Sequence, residues 1–166
     1  MASPDMATII ETIRGVVVDG DGVAFTISNR FRSGTYDGQD DSGRVTNAVI
    51  KPAANVTVGG LTRDPSSPQL PATTRIWRFD VMITITRHIY ALHAADPAEL
   101  DAAKGAAAAD GAVLADALTF GGNVPGVISS CLRYESSTAP TIRLNGEDPS
   151  FIETIHNFTG WVQVEA

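Results

Sequence analysis

The chain is poor in the residues that build covalent or metal staples. One cysteine, Cys131, and three histidines, His88, His93 and His156, are spread over 166 residues. A lone cysteine forms no intramolecular disulfide and cannot supply a thiolate zinc cluster. Basic charge is scarce as well: 12 Lys and Arg stand against 19 Asp and Glu, for a net charge of −7. That balance argues against a free-standing nucleic-acid binder, which carries a basic footprint. It also disfavours docking on an anionic bilayer. No apolar run reaches the ~18–20 residues of a membrane helix. The nearest candidate, residues 81–92, is interrupted by Arg87 and His88. No basic segment followed by an apolar stretch opens the chain, so no signal peptide is read there. A soluble protein made in the cytoplasm is expected. Also missing are a G-x-S-x-G nucleophile elbow, a phosphate loop and a dinucleotide fingerprint.

What is present suits a globular fold. Hydrophobic residues make up 43% and charged residues 19%, outside the range of disordered or fibrous chains. A chain of this length forms one domain and buries about 70% of its unfolded surface without staples.

Near the N-terminus, Ser3-Pro4-Asp5 reads as a helix start, with Ser3 as cap, Pro4 at the first helical position and Asp5 complementing the dipole. Met6, Ile9, Ile10 and Ile13 then share one face. Gly15 is a plausible stop, because the β-branched run Val16-Val17-Val18 follows. Asp19-Gly20-Asp21-Gly22 separates that run from residues 23–28 and predicts a tight hairpin. A calcium-binding carboxylate pair is the competing reading, but no ligand set follows at EF-hand spacing. Residues 29–44 are polar and aperiodic, and predict a mobile loop. Asp37, Gln39 and Asp41 mimic alternating calcium ligands, yet Ser42 stands where the glycine belongs and Ala48 where the bidentate glutamate belongs. Residues 44–50 and 55–58 look like short strands. Pro65, Pro68 and Pro71 make residues 59–74 an extended connection within the domain.

The strongest local signal is in residues 75–92. Trp77, Phe79, Val81, Ile83 and Ile85 alternate with Arg78, Asp80, Met82, Thr84 and Thr86, the period of a strand with one face on a core. About fifteen residues at about 3.3 Å each span roughly 50 Å. Such a strand bends around a barrel or projects past its own domain toward neighbours. Asp96-Pro97-Ala98-Glu99 then starts a helix, with Leu100, Ala103, Ala107, Gly111, Leu114 and Leu118 along one stripe. A coiled-coil seam is the alternative, but large residues are missing from it. Gly121-Gly122 ends the helix. Residues 127–134 and 141–144 predict two further strands, and residues 151–164 a closing one. That last strand is apolar on both phases: Ile152, Phe158, Val162 and Val164 on one, Phe151, Ile155 and Trp161 on the other. It either lies central in the sheet or covers a partner chain. The order predicts an α+β fold: one domain over residues 1–166, a mainly antiparallel β-sheet and two helices packed on one face.

Candidate chemistry is sparse. The glycine-rich run 121–126 precedes a strand where a phosphate site needs a helix start. His88 and His93 are five apart and fall on opposite strand phases. His156 could meet His88 across adjacent strands at a metal, although surface or interface histidines are the simpler reading. Cys131 reads as a small buried apolar residue, with neither His156 nor Asp148 marked as its base or orienting group. Among the arginines, Arg14, Arg30, Arg32 and Arg44 lie in the first third, and Arg75, Arg78 and Arg87 line the long strand. Solvated charge explains each of them singly. Arg78, beside Trp77 and Asp80, is the one to test for contact with an acidic neighbour or with DNA phosphates.

The alternating strand Trp77-Arg78-Phe79-Asp80-Val81-Met82-Ile83-Thr84-Ile85 runs into the Asp96-Pro97-Ala98-Glu99-Leu100 helix start. Glycine-rich turns, two strands and the closing Phe158-Thr159-Gly160-Trp161-Val162-Gln163-Val164 follow. With the early Ile9–Ile13 helix and a Val/Phe hairpin, this order of elements resembles the tail terminator and related tail-completion proteins of long-tailed bacteriophages. The likeness covers roughly residues 5–27 and 75–166; residues 59–74 have no counterpart in it. It implies a structural virion protein at the head–tail junction, made in the host cytoplasm. Such a subunit forms a hexameric ring that caps the tail tube and joins it to the head connector, while DNA passes through the lumen without specific binding. It implies no enzymatic activity, no cofactor and no metal, and it transfers no site residues. Ring closure needs a heterologous interface, for which Arg78, Phe158, Trp161 and Val162 are the candidate subunit contacts. An acidic lumen would let DNA slide by like-charge repulsion. Another head–tail joining protein, or a small ligand-binding or enzymatic domain with a polar-lined pocket, are the alternatives.

Overall fold

The structure, a computed structural model, describes residues 5–19, 26–27, 53–64, 74–88, 97–120, 122, 124–145 and 148–165. Helix α1 covers Met6–Asp19. Its cap is Asp5, whose carboxylate accepts from the Ala7 N–H at 3.0 Å and the Thr8 hydroxyl at 2.7 Å. Asp5 thus takes the capping role assigned above to Ser3, which lies outside the described residues. The helix also runs straight through Gly15 and Val16-Val17-Val18, so these valines form no hairpin strand. The physical reason is the stripe Ile9, Ile13, Val17, spaced four apart and buried throughout. Each such side chain is worth about 1.5–3 kcal/mol when buried. A helical glycine costs only about 1 kcal/mol, and Gly15 faces open space.

Seven strands form one sheet: β1 (Thr26–Ile27), β2 (Ala53–Val58), β3 (Thr62–Arg63), β4 (Thr74–His88), β5 (Arg133–Ser137), β6 (Thr141–Asn145) and β7 (Asp148–Glu165). The order along its main path is β1-β2-β4-β7-β5, with β3 beside β4 and β6 beside β7. All pairings are antiparallel except β1 with β2, which is parallel. The β4 and β7 strands run together from Thr74↔Glu165 to His88↔Phe151. The β7 strand is central in the sheet, with β4 on one side and β5 and β6 in tandem on the other. Short β3 lies inside the proline-rich connection. The polar loop at residues 29–44 and the strand expected at residues 44–50 lie outside the described residues.

Helix α2 (Pro97–Ala115) continues into a wider π turn, Asp116–Phe120. Both helices pack on the same face of the sheet, α1 against β1 and β2, α2 against β4, β5 and β7. The fold is α+β, as the element order predicts. Between them, Phe79, Val81, Ile83 and Ile85 of β4 meet Phe158 and Val162 of β7, the α1 stripe, and Leu114 and Leu118. The strand expected from Val127 begins only at Arg133. Residues 124–132 instead form a looped segment whose Ser129 and Ser130 are left-handed, with φ of 65° and 53°. Val124, Val127 and Leu132 anchor it in the core. The Val124 N–H donates to the Ser130 carbonyl at 2.9 Å and the Leu132 N–H to the Leu118 carbonyl at 2.8 Å. Spacings of three and five cannot satisfy a strand's period of two, so burial of these three side chains selects the loop. No helix among the described residues is long and apolar enough to cross a membrane.

Candidate functional site

The four candidate contact residues separate onto two faces. Phe158 and Val162 point into the helix-covered core and are 1% and 0% exposed. This corrects the expectation that they meet a neighbouring subunit: the even phase of β7 is the core phase of its own chain. Arg78 and Trp161 sit opposite each other in register on the face that neither helix covers.

That outer face carries a lattice of polar side chains around a few apolar ones. Arg78 donates to Asp80 Oδ1 through Nε at 3.3 Å and Nη2 at 3.0 Å. The Thr159 hydroxyl donates to the same oxygen at 3.3 Å. Trp161 Nε1–H donates to Asp64 Oδ2 at 2.8 Å, and the Arg133 guanidinium lies 4.8 Å over the indole, a cation–π distance. Met82, 39% exposed, lies between Thr57 of β2 and Asn157 of β7. Around it is an open depression of about 520 Å³, bordered by Thr57, Arg78, Asp80, Asn157 and Thr159. A second, of about 390 Å³, lies beside Asp64, Ile76, Thr119, Cys131 and Trp161. Cys131 is half-buried there, more accessible than a core cysteine.

The face under α2 holds a different group. The β5 strand shifts register between Tyr134 and Ser136. This bulge puts Tyr134 opposite Phe158 and Ser137 opposite His156, so both face inward. Ser137 Oγ lies 2.5 Å from the Tyr134 hydroxyl and 2.5 Å from His156 Nδ1. His156 Nε2 lies 3.1 Å from Thr154 Oγ1. The imidazole is fully buried. Burial pushes its pKa below the ordinary histidine value, and the Asp110 carboxylate opposes part of that. Asp110, itself buried, accepts from Arg87 Nε at 2.7 Å and Nη2 at 2.5 Å, a two-pronged pair joining α2 to β4.

A serine hydroxyl on an imidazole nitrogen has the reach of a nucleophile and its base. The surroundings do not complete one. A Cβ on Gly111 of α2 would lie 2.8 Å from Ser137 Oγ and 3.1 Å from His156 Nδ1, so the helix backbone crowds the hydroxyl from one side. The second imidazole nitrogen meets a threonine where a triad has a carboxylate. The adjacent Thr138 N–H is bonded to the Ile155 carbonyl at 2.8 Å and unavailable to an oxyanion. The arrangement is a hydrogen-bonded polar plug between helix and sheet.

Metal pairing of His156 with His88 is ruled out by register. His88 pairs with Phe151 and His156 with Ile83, five positions apart along both strands. No cluster of three or more His, Cys, Asp or Glu side chains that could hold a metal occurs among the described residues. Sequence reasoning missed Asp110, Arg87, Ser137 and Thr154 as partners in this plug. One signal was available: Thr154 and His156 fall on the apolar phase of β7, and a polar residue in a core phase requires a partner. No protein-family model and no curated protein matches the chain.

Proposed function

We propose that the protein is a structural ring subunit of a phage head–tail junction, a tail terminator whose ring caps the tail tube and meets the head connector. The observation that carries this reading is a sheet built on two very long strands whose outer face carries no helix among the described residues. At about 3.3 Å per residue, the 18 residues of β7 extend about 60 Å. A compact chain of this size has a radius of gyration of about 15 Å, a diameter on the order of 40 Å. A sheet built on such long strands, with one face that no described helix covers, suits a subunit whose neighbours complete it. Arg78, Met82 and Trp161 are the contacts this reading assigns to the neighbouring copy. The element order supports the same class, and both depressions described above are open to solvent where a small-molecule site is usually enclosed.

The test is the mass of the purified full chain by sedimentation, alone and with tail tubes. A closed oligomer near six copies, lost in Met82→Asp while circular dichroism stays unchanged, is the expected result. A monomer at every concentration, with no binding to tubes, refutes the proposal.

A further inference from the structure

The plug under α2 does more than fill space. Its imidazole is sealed from water, yet its hydrogen bonds run outward through Ser137 to the half-buried Tyr134. We infer that His156 is an acid-sensitive latch: proton uptake by the buried ring releases α2 from β5 and β7, while α1 stays closed on its side of the sheet.

The geometry supports each step. A neutral imidazole needs one donor and one acceptor. The Ser137 and Thr154 hydroxyls can serve in either sense, so the neutral ring is fully satisfied. A protonated ring donates from both nitrogens, and the same hydroxyls can accept. Hydrogen bonding is therefore kept on protonation, but among the described residues the new charge has no free counter-ion. Among the described residues, the ionisable groups near the ring are Asp110 from α2, Arg87 from β4 through Asp110, and Tyr134 from β5 through Ser137; β7 itself places Thr154 and Phe158 beside it. Both carboxylate oxygens of Asp110 already accept from Arg87. Protonation thus sets two cations against one carboxylate beside a fully buried ring, and burying an unpaired charge is costly. Lifting α2 admits water and relieves it.

The opening is confined to α2 because the plug lies under that helix and shares Asp110 with it. Its stripe over the plug is Ala103, Ala107 and Gly111, with large apolar side chains only toward its ends. By contrast α1 is held by Ile9, Ile13 and Val17, all fully or almost fully buried. Burial lowers the ring's pKa, so the neutral latch contributes in full above the ordinary value of 6.5 and is lost as pH falls from there toward the lowered folded value.

Native-state hydrogen exchange on the full chain between pH 7.5 and 5.0 tests this, after correction for intrinsic exchange rates. Amides of α2 should lose protection by up to tenfold per pH unit below about 6.5, amides of α1 should not, and His156→Gln should abolish the pH dependence. Loss of protection in both helices together, a flat α2, or pH dependence retained in His156→Gln overturns the inference. Should that variant not fold, the imidazole titration of His156 in the wild-type chain decides by nuclear magnetic resonance. Its midpoint coincides with α2 opening if the latch exists, and a mismatch overturns it.

Discussion

Gly160 offers the sharpest test of how this core is packed. In register it faces Phe79, and a Cβ at Gly160 would run into Cζ and Cε1 of that ring and lie 2.8 Å from Leu132 Cδ2. Real Cβ atoms do not come so close, so something must shift. Both neighbours are fully buried, so a shift of either disturbs the core. The Gly160 backbone is not left-handed, so Gly160→Ala introduces no backbone strain. Removing a glycine from a strand by itself stabilises by about 0.5–1 kcal/mol. Overpacking a filled core costs about 1–3 kcal/mol. The packing term wins, and a net loss of about 1–2 kcal/mol is expected, or roughly 2–8 °C in Tm for a chain of this size. Urea unfolding followed by tryptophan fluorescence measures it. Phe79→Leu in the same chain should relieve the clash, giving a coupling of about 0.5–3 kcal/mol in a double-mutant cycle. A Gly160→Ala protein as stable as the wild type, with no coupling to Phe79, would refute the packing argument.

Three further outcomes follow from named contacts. Arg87→Gln strands a buried carboxylate and should cost about 3–5 kcal/mol. Asp110→Asn leaves a guanidinium that is 29% exposed, so about 1.5–3 kcal/mol is expected; the reverse order in urea unfolding would contradict the assigned burial. The Asp5 carboxyl is held below its ordinary 3.8, first by the Thr8 hydroxyl and then by the Ala7 N–H. Its cap is therefore fully present above pH 3.8 and fades as pH falls through the lowered folded value. Asp5→Ala should speed exchange of the first-turn amides at neutral pH and remove that acid dependence. Leu114→Ala opens a cavity between α2 and the sheet and should cost about 2–5 kcal/mol, read by chemical denaturation.

Strands β4 and β7 and the stripe of α2 were legible because their periods, two and 3.6, persist over many residues. The path through residues 15–18 was not. Glycine and three valines locally favour a stop and a strand, and only the burial of Val17 against β1 and β2 overrides them. Residues 127–132 misled for a related reason: their apolar content resembles a strand, but the side chains are buried at irregular spacing. The plug around His156 was partly legible. His156 was read as a surface or interface histidine and is fully buried; its place on the apolar phase of β7 was the available signal, whereas the bulge in β5 that brings Ser137 to it leaves no composition signal. Phe158 and Val162 were assigned outward because a two-sided apolar strand fits either a central place or an interface. The burial of these two side chains in the chain's own core places them inward.

The central place of β7 also bears on how the protein is made. Its partners in β4 precede it by 63 to 91 positions, and β5 and β6 have nothing to pair with until it arrives. During translation, β4 leaves the ribosome with one whole side bare and must wait for some sixty more residues. A naked apolar strand in that interval can recruit the wrong partner. Chaperone dependence and yield in a heterologous host should therefore track the speed with which the segment between β4 and β7 is synthesised.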